Sequence, residues 1–229
     1  MANYILILTF LLYSTTFSYQ LSKTSYGVFF KVINFVQKKN IEQDWNRIRK
    51  GDVLYNNDNV RTGKSSIAII KFTDKSILRM LENSELILLG EKVEKSVKNN
   101  LKIVQGTVVF NINKKQNEQY TFTSPTSVAS IRGTKGLFNH QDNVDILIVV
   151  EGIVTIKNLI SGEQKEVKNG NITFSYPDGK FDIREATPDE LNGVEQSLKA
   201  GDEQKENELN FELHDSNQNK RELKIKYNE

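Results

Sequence analysis

"LKIVQGTVVF" runs from Leu101 to Phe110, and "LIVVEGIVTI", from Leu147 to Ile156, repeats it in the form L-x-[IV]-V-[QE]-G-x-V-x-[FI]. Short runs of β-branched and apolar residues read as strands. A glycine in mid-strand weakens the pairing, so it marks a bulge, a bend or a close approach of two backbones. Gly106 and Gly152 therefore read as strand, kink, strand, used twice. A fainter third copy is "KVINFV", Lys31 to Val36, with Asn34 at the glycine position; asparagine is the residue next most tolerant of left-handed backbone. "VRTGK" (Val60 to Lys64) and "IRGTK" (Ile131 to Lys135) echo each other too. These are near-repeats rather than a solenoid of fixed period.

Outward from this pattern, strand signals dominate. "SSIAIIKF" and "SILRMLEN" flank Thr73-Asp74-Lys75 and read as a hairpin, with Ala68, Ile70 and Phe72 on one apolar face and Leu78 and Met80 continuing it. The charged stretch Glu91 to Asn100 is expected to be an exposed loop. Thr187-Pro188-Asp189-Glu190 is a helix start, with Thr187 as N-cap and Glu190 closing a capping box. Leu191, Val194 and Leu198 then share one face, and a helix this short needs a surface to dock on. Beyond it, Leu209, Phe211 and Leu213 alternate, as do Leu223, Ile225 and Tyr227. Since isolated hairpins are marginal in water, this terminal hairpin is expected to join a sheet of the body, the alternatives being pairing with another chain or mobility.

The chain has 229 residues, 38% of them hydrophobic, which suffices for a sizeable core and excludes wholesale disorder. A formal charge of only +2 argues against nucleic acid as a partner. The balance is uneven, because residues 184–229 hold seven basic and twelve acidic side chains, net −5, which leaves +7 on the rest. The absence of cysteine excludes disulfides, thiolate metal sites and cysteine nucleophiles.

The opening "MANYILILTFLLYSTTFSYQLS" is apolar from Tyr4 to Tyr13 and uncharged up to Lys23. It is short for a spanning helix, which needs about 20 apolar residues, and suits a signal peptide with Thr16 and Ser18 at the −3 and −1 positions. The expected division is a signal peptide at 1–18, a β domain at 26–183, and an acidic extension at 184–229 with a helix at 188–199 and a hairpin at 208–227. The expected destination is the periplasm or the exterior, with no stable transmembrane anchor.

An ordered set of motifs carries a family resemblance. Gly51-Asp52 is followed by Val60-Arg61-Thr62-Gly63, by the F-x-D-x-S hairpin at 72–76, by Asn83-Ser84 and by the Gln105-Gly106 strand. Then come the T-x-P-T segment around Pro125, Ile131-Arg132-Gly133-Thr134 and Glu151-Gly152. From Val28 to Phe174 the chain resembles the FecR domain. The resemblance implies an all-β fold, a twisted antiparallel sandwich or short β-roll, here followed by a short helix and a C-terminal hairpin. It also implies an envelope role. The best-known members couple an outer-membrane iron-siderophore receptor to a cytoplasmic sigma factor, through an N-terminal anti-sigma domain and a membrane helix. The expectation here is the extracytoplasmic module without that N-terminal domain.

Enzyme signatures are missing from the sequence. There is no H-E-x-x-H, P-loop or G-x-G-x-x-G, and no motif calls for a cofactor or a metal. The two histidines, His140 in "FNHQDN" and His214, read as surface loop residues. Ser124, Ser127, Ser130 and Thr134 lack a base supplied by any motif. A cleft in which His140 met an acid and a hydroxyl would argue the other way. "SPTSVASIRGTKGLF", Ser124 to Phe138, thus reads as a strand start followed by a corner. Arg61 and Arg132 are expected to brace such corners, through loop carbonyls or an acid such as Asp52 or Glu151; the alternative is that they face outward as ligand contacts. The expected function is a non-enzymatic binding or scaffold module whose partner is an envelope protein, met by strand addition at an exposed edge. The alternatives are a cell-wall polysaccharide, with Trp45 and Tyr55 as stacking residues, and regulation of sigma-factor signalling.

Overall fold

The computed structural model describes residues 24–93, 96–115 and 118–199, and two strands beyond them. The first half forms β1 (Ser25–Ile33), β2 (Val36–Asn40), β3 (Gln43–Arg47), β4 (Val53–Tyr55), β5 (Asn59–Thr62), β6 (Ile67–Phe72), β7 (Ile77–Met80), β8 (Glu85–Val93) and the long β9 (Ser96–Asn111). The second half forms β10 (Glu118–Thr123), β11 (Ser127–Ile131), β12 (Lys135–Gln141), β13 (Val144–Glu151), β14 (Ile153–Asn158), β15 (Gln164–Lys168), β16 (Asn171–Ser175) and β17 (Phe181–Glu185). Helix α1 (Pro188–Lys199) and the hairpin β18 (Glu206–His214) and β19 (Lys220–Asn228) complete the chain. Residues 1–18, on which the signal-peptide reading falls, lie outside the described residues.

The strands lie in two layers. The front layer runs β4-β1-β6-β7-β9-β12-β13-β16-β17. The back layer runs β3-β2-β5-β8-β9-β10-β11-β14-β15. Strand β9 belongs to both, so hydrogen bonding is continuous through 17 strands. All these pairings are antiparallel except β9 with β10. The fold is both alternatives at once, a sandwich made by rolling one sheet.

Glycine kinks make the roll. Gly106 (φ 90°) turns β9 from the back layer to the front, and Gly152 (φ 93°) sends the chain from β13 in front to β14 behind. Asn34 (φ 61°) does the same between β1 and β2. Positive φ is cheap for glycine and tolerable for asparagine. The core lies between the layers. Phe110 in front meets Phe122 behind edge-on at 5.2 Å, and Phe122 meets Phe138 at 6.1 Å. Such edge contacts add about 0.5–1.5 kcal/mol each beyond burial.

Two expectations are corrected. Glu91–Val93 and Ser96–Asn100 are strand rather than loop, because β8 and β9 pair there as far as Val93↔Ser96, and β10 pairs in parallel with the other side of β9. A ladder satisfied on both sides outweighs the preference of charged residues for loops. Ser124-Pro125 does not start a strand either. Residues 124–126 form the β10–β11 turn, and β11 begins at Ser127.

Helix α1 forms as expected. The Thr187 N–H donates to Glu190 Oε2 at 2.8 Å, and the Glu190 N–H donates to Thr187 Oγ1 at 3.3 Å. Val194 is buried with Val109, Ile148 and Ile172 on the outside of the front layer, with Leu191 and Leu198 packed beside them. The back layer has no such cover among the described residues. The hairpin pairs β18 with β19 as a separate two-stranded sheet, so the expected addition to the body sheet is not among the described pairings.

Candidate functional site: buried polar corners and an aromatic–cation cluster

The family-motif residues fall at corners. Gly51 and Asp52 form the turn before β4, where the Asp52 carboxylate accepts from the Arg49 N–H at 2.9 Å and the Gly51 N–H donates to the Phe29 carbonyl at 2.8 Å. Thr62, Gly63 and Gly106 stack in one column. The Thr62 hydroxyl donates to the Leu81 carbonyl at 2.5 Å and accepts from the Ser84 N–H at 3.0 Å. Ser84 Oγ then accepts from the Thr107 N–H at 2.9 Å and donates to its carbonyl at 3.1 Å. Gly106 lies so close above it that a Cβ would stand 2.4 Å from Ser84 Oγ and 2.5 Å from its Cα. A second column joins Gly133, Thr134 and Gly152, where a Cβ on Gly152 would stand 2.5 Å from Thr134 Cγ2 and 2.8 Å from the Gly133 carbonyl. These glycines permit close backbone packing, and Gly106 also lines the groove beside His140.

The arginines do not brace as expected. Arg61 donates through Nε and Nη2 to Gln37 Oε1 at 3.0 and 2.7 Å, rather than to Asp52 or Glu151. Arg132 is exposed, with no hydrogen bond or ion pair among the described residues. Glu151 pairs with Lys135 instead. The physical reason is register: Arg61 sits opposite Gln37 on β2, and Lys135 opposite Glu151 on β13.

His140 is not a surface residue. It lies in β12, 5% exposed, with Nδ1 2.6 Å from Asp145 Oδ1. The other carboxylate oxygen accepts from the Ser124 hydroxyl at 2.5 Å and from the Ser127 hydroxyl. A histidine, an acid and two hydroxyls therefore do meet. Their order is wrong for nucleophilic catalysis, which needs the hydroxyl on the base and the acid behind it. Here the acid stands between them. Ser124 Oγ also accepts from the N–H groups of Thr126 and Ser127 at 3.0 and 2.9 Å. With its proton on Asp145 and both lone pairs engaged, it is held as a turn-forming group. The cluster ties the β10–β11 turn to the β12–β13 hairpin, helped by Thr126 Oγ1 donating to the Asn143 carbonyl at 2.8 Å. Asp74 plays the same part in the F-x-D-x-S hairpin, accepting from the Ser76 N–H at 2.8 Å, the Ser76 hydroxyl at 2.6 Å and the Tyr120 hydroxyl at 3.0 Å.

A groove of about 600 Å³ runs beside His140, lined by Glu82, Asn83, Gln105, Thr107, Asn139 and Asp142 among others. Among the described residues no three histidine, aspartate or glutamate side chains come together as a metal site.

The most distinctive surface lies on the back layer. Trp45 on β3 carries the Arg61 guanidinium 3.9 Å from its ring centroid and Lys39 Nζ at 4.7 Å. Arg47 stands 5.1 Å from the ring of Phe35, which is 42% exposed. Such contacts are worth about 0.5–1 kcal/mol each at exposed sites. Sequence reasoning singled out Trp45 and Arg61 separately but not their meeting, which depends on β2 lying between β3 and β5.

These features define a bent-strand β-roll whose motif residues build corners. Residues 58–155 match the model of the FecR protein family. Two crystal structures of a provisionally assigned anti-sigma factor from Parabacteroides distasonis share the fold. One matches with a TM-score of 0.51 at 8% identity over 60% of this chain and 64% of that one. The other matches with a TM-score of 0.51 at 9% identity over 70% of each. The chain thus spans slightly under two thirds of the first neighbour's length. A comparison with curated proteins found no match. No helix among the described residues is long and apolar enough to cross a membrane.

Proposed function

We propose that this chain is an exported, non-enzymatic FecR-domain protein that regulates envelope signalling by binding a protein partner. The observation that carries the reading is the Trp45–Arg61–Lys39–Arg47–Phe35 cluster on the bare back layer. Tryptophan and arginine dominate the energetics of protein interfaces, and here both are held in place before any partner arrives. The neighbours' provisional assignment as anti-sigma factors supports a role in sigma-factor signalling. The polysaccharide alternative loses its main support, because the Trp45 ring is already engaged by two cations. Strand addition is less favoured than face-on docking. Of the body's edge strands, β3, β15 and β17 are short and charged and β4 is only three residues long, the pattern that blunts edge pairing.

The test is cross-linking in intact cells with wild type and with a Trp45→Ala/Arg61→Ala variant. Loss of a protein adduct at unchanged melting temperature supports the reading, and an unchanged adduct removes the cluster from it. Mass spectrometry of the mature protein tests export: cleavage after Ser18 is expected, and retention of Met1 to Ser18 would refute it.

A further inference from the structure

Strand register places one set of side chains along the whole outer face of the back layer. One row runs Lys39↔Asn59↔Ile87↔Lys102↔Thr123↔Val128↔Lys157↔Gln164 from β2 to β15. The alternate residues Val60, Leu101, Ile103, Val154 and Ile156 are buried between the layers, so this row faces outward. At about 4.8 Å per strand, the sheet from β3 to β15 is roughly 38 Å across.

The face is basic. Arg47, Arg61 and Lys39 stand at one end, Lys98 and Lys102 in the middle, and Lys157 and Lys168 at the other end. Among the described residues only Glu85, Glu91 and Glu166 oppose them. Lys98 pairs with Glu91 at 3.8 Å. Lys102, Lys157 and Lys168 have no ion pair or hydrogen bond among the described residues. The opposite side of the molecule carries α1, with Asp189 and Glu190 in its first turn. Seven basic and three acidic side chains thus give this face a net +4 of the body's +7, and none of the described elements packs over it. Rows of like charge on a flat sheet repel one another, and an opposite charge relieves that repulsion.

We infer that the outer face of the back layer is a docking surface for an acidic protein surface, with Trp45 and Arg61 as the anchor at one end and Lys102 and Lys157 as the extended part. This rests on the protein-partner reading and adds the partner's charge. The Arg61 stack fixes position, while the unpaired lysines supply long-range attraction. Binding then weakens with salt, because contacts in a solvated face are screened beyond about 8 Å at physiological ionic strength.

The experiment places a photo-cross-linking residue at Thr121, in the middle of the face, in the full chain in cells, and identifies the attached peptide by mass spectrometry. It is repeated in Lys102→Glu/Lys157→Glu, and in Lys71→Glu on the front layer as a control. The expected result is an acidic partner peptide, with an adduct yield that falls about tenfold in the double variant and is unchanged in the control. Melting temperatures should be equal in all three. A protein adduct that survives the double reversal, or whose peptide is neutral or basic, overturns the acidic-partner inference and leaves the protein-partner reading standing. Attachment to lipid or glycan alone, or no adduct at either Thr121 or Trp45, overturns both.

Discussion

Replacing Gly106 by alanine tests whether the roll depends on close approach at its kinks. Two costs act together. Gly106 has φ +90°, where a Cβ costs about 1–2 kcal/mol. The new methyl would also stand 2.5 Å from the Ser84 Cα and 2.4 Å from its Oγ. Since Cα is backbone, it cannot rotate away, and forcing such a contact apart costs about 1–3 kcal/mol. Displacing Ser84 strains its two hydrogen bonds to Thr107, at 2.9 and 3.1 Å, for roughly 1 kcal/mol more. The expected loss is about 3–6 kcal/mol, a large part of the 5–15 kcal/mol typical of a domain. For a chain of this size it lowers the melting temperature by roughly 6–24 °C. The control is Gly170→Ala, which has φ +78° with nothing within 4 Å of the new Cβ and loses only about 1–2 kcal/mol. Thermal and urea unfolding of both variants measure the difference. Equal losses would refute the claim that Ser84 and Gly106 are packed backbone to backbone, leaving conformational preference alone.

Other outcomes follow from the same geometry. Asp145→Asn removes the negative charge and replaces one of the two oxygens that hold Ser124, Ser127 and His140 by an NH2 group, and is expected to cost about 2–4 kcal/mol, read as a lower urea midpoint. Arg132→Lys is expected to leave the melting temperature unchanged, since Arg132 braces nothing, whereas Arg61→Lys loses the paired bonds to Gln37 and about 1 kcal/mol. Val194→Asp is expected to release α1 from the front layer, seen as faster amide exchange across Pro188–Lys199 with the β strands still protected. Glu190 is held down to about 2, chiefly by its hydrogen bonds from the Arg184 guanidinium. Its folded value lies below its ordinary one of 4.5, so its contribution is complete above about pH 4.5 and is lost as pH falls toward 2. Glu190→Gln should flatten the acid dependence of helix docking in that window and weaken docking at pH 7, where the charged Glu190–Arg184 pair otherwise contributes in full.

The fold was legible because its unusual step is written in residue type. Gly106, Gly152 and Asn34 stand at matching places in three strand patterns, and all three have positive φ at a change of layer. The capping box at Thr187 and the apolar face of Val194 were legible for the same reason, since each depends on residues within one turn. The stretch from Glu91 to Asn100 was misread because its strand pairing is decided by distant partners. Asn99 and Asn100 sit between β8 and β10, and the ladder on both sides outweighs local polarity.

The polar clusters were the hardest to read, although a signal was present. In "NVDILIVV" Asp145 shares parity with Leu147 and Val149, both fully buried, so the alternation already places a carboxylate at a core position. His140 likewise shares parity with the buried Phe138. A charge at such a place must find partners, and Ser124, Ser127 and His140 are those partners. The sequence separation of about 20 residues between Ser124 and Asp145 hides the meeting until β11 is known to sit in the back layer and β12 in the front. The same reasoning separates brace from binding site. Inward-facing Asp74 and Asp145 are answered by neighbouring hydroxyl and N–H groups, whereas Asp58 Oδ1, Asn59 Oδ1, Asn99 Oδ1 and Thr134 Oγ1 are buried without a hydrogen-bond partner. On the outward face of the back layer Trp45 and Arg61 satisfy each other too, but Lys102 and Lys157 do not. The proposed docking is therefore placed on that face, where the charge of Lys102 and Lys157 is unanswered among the described residues.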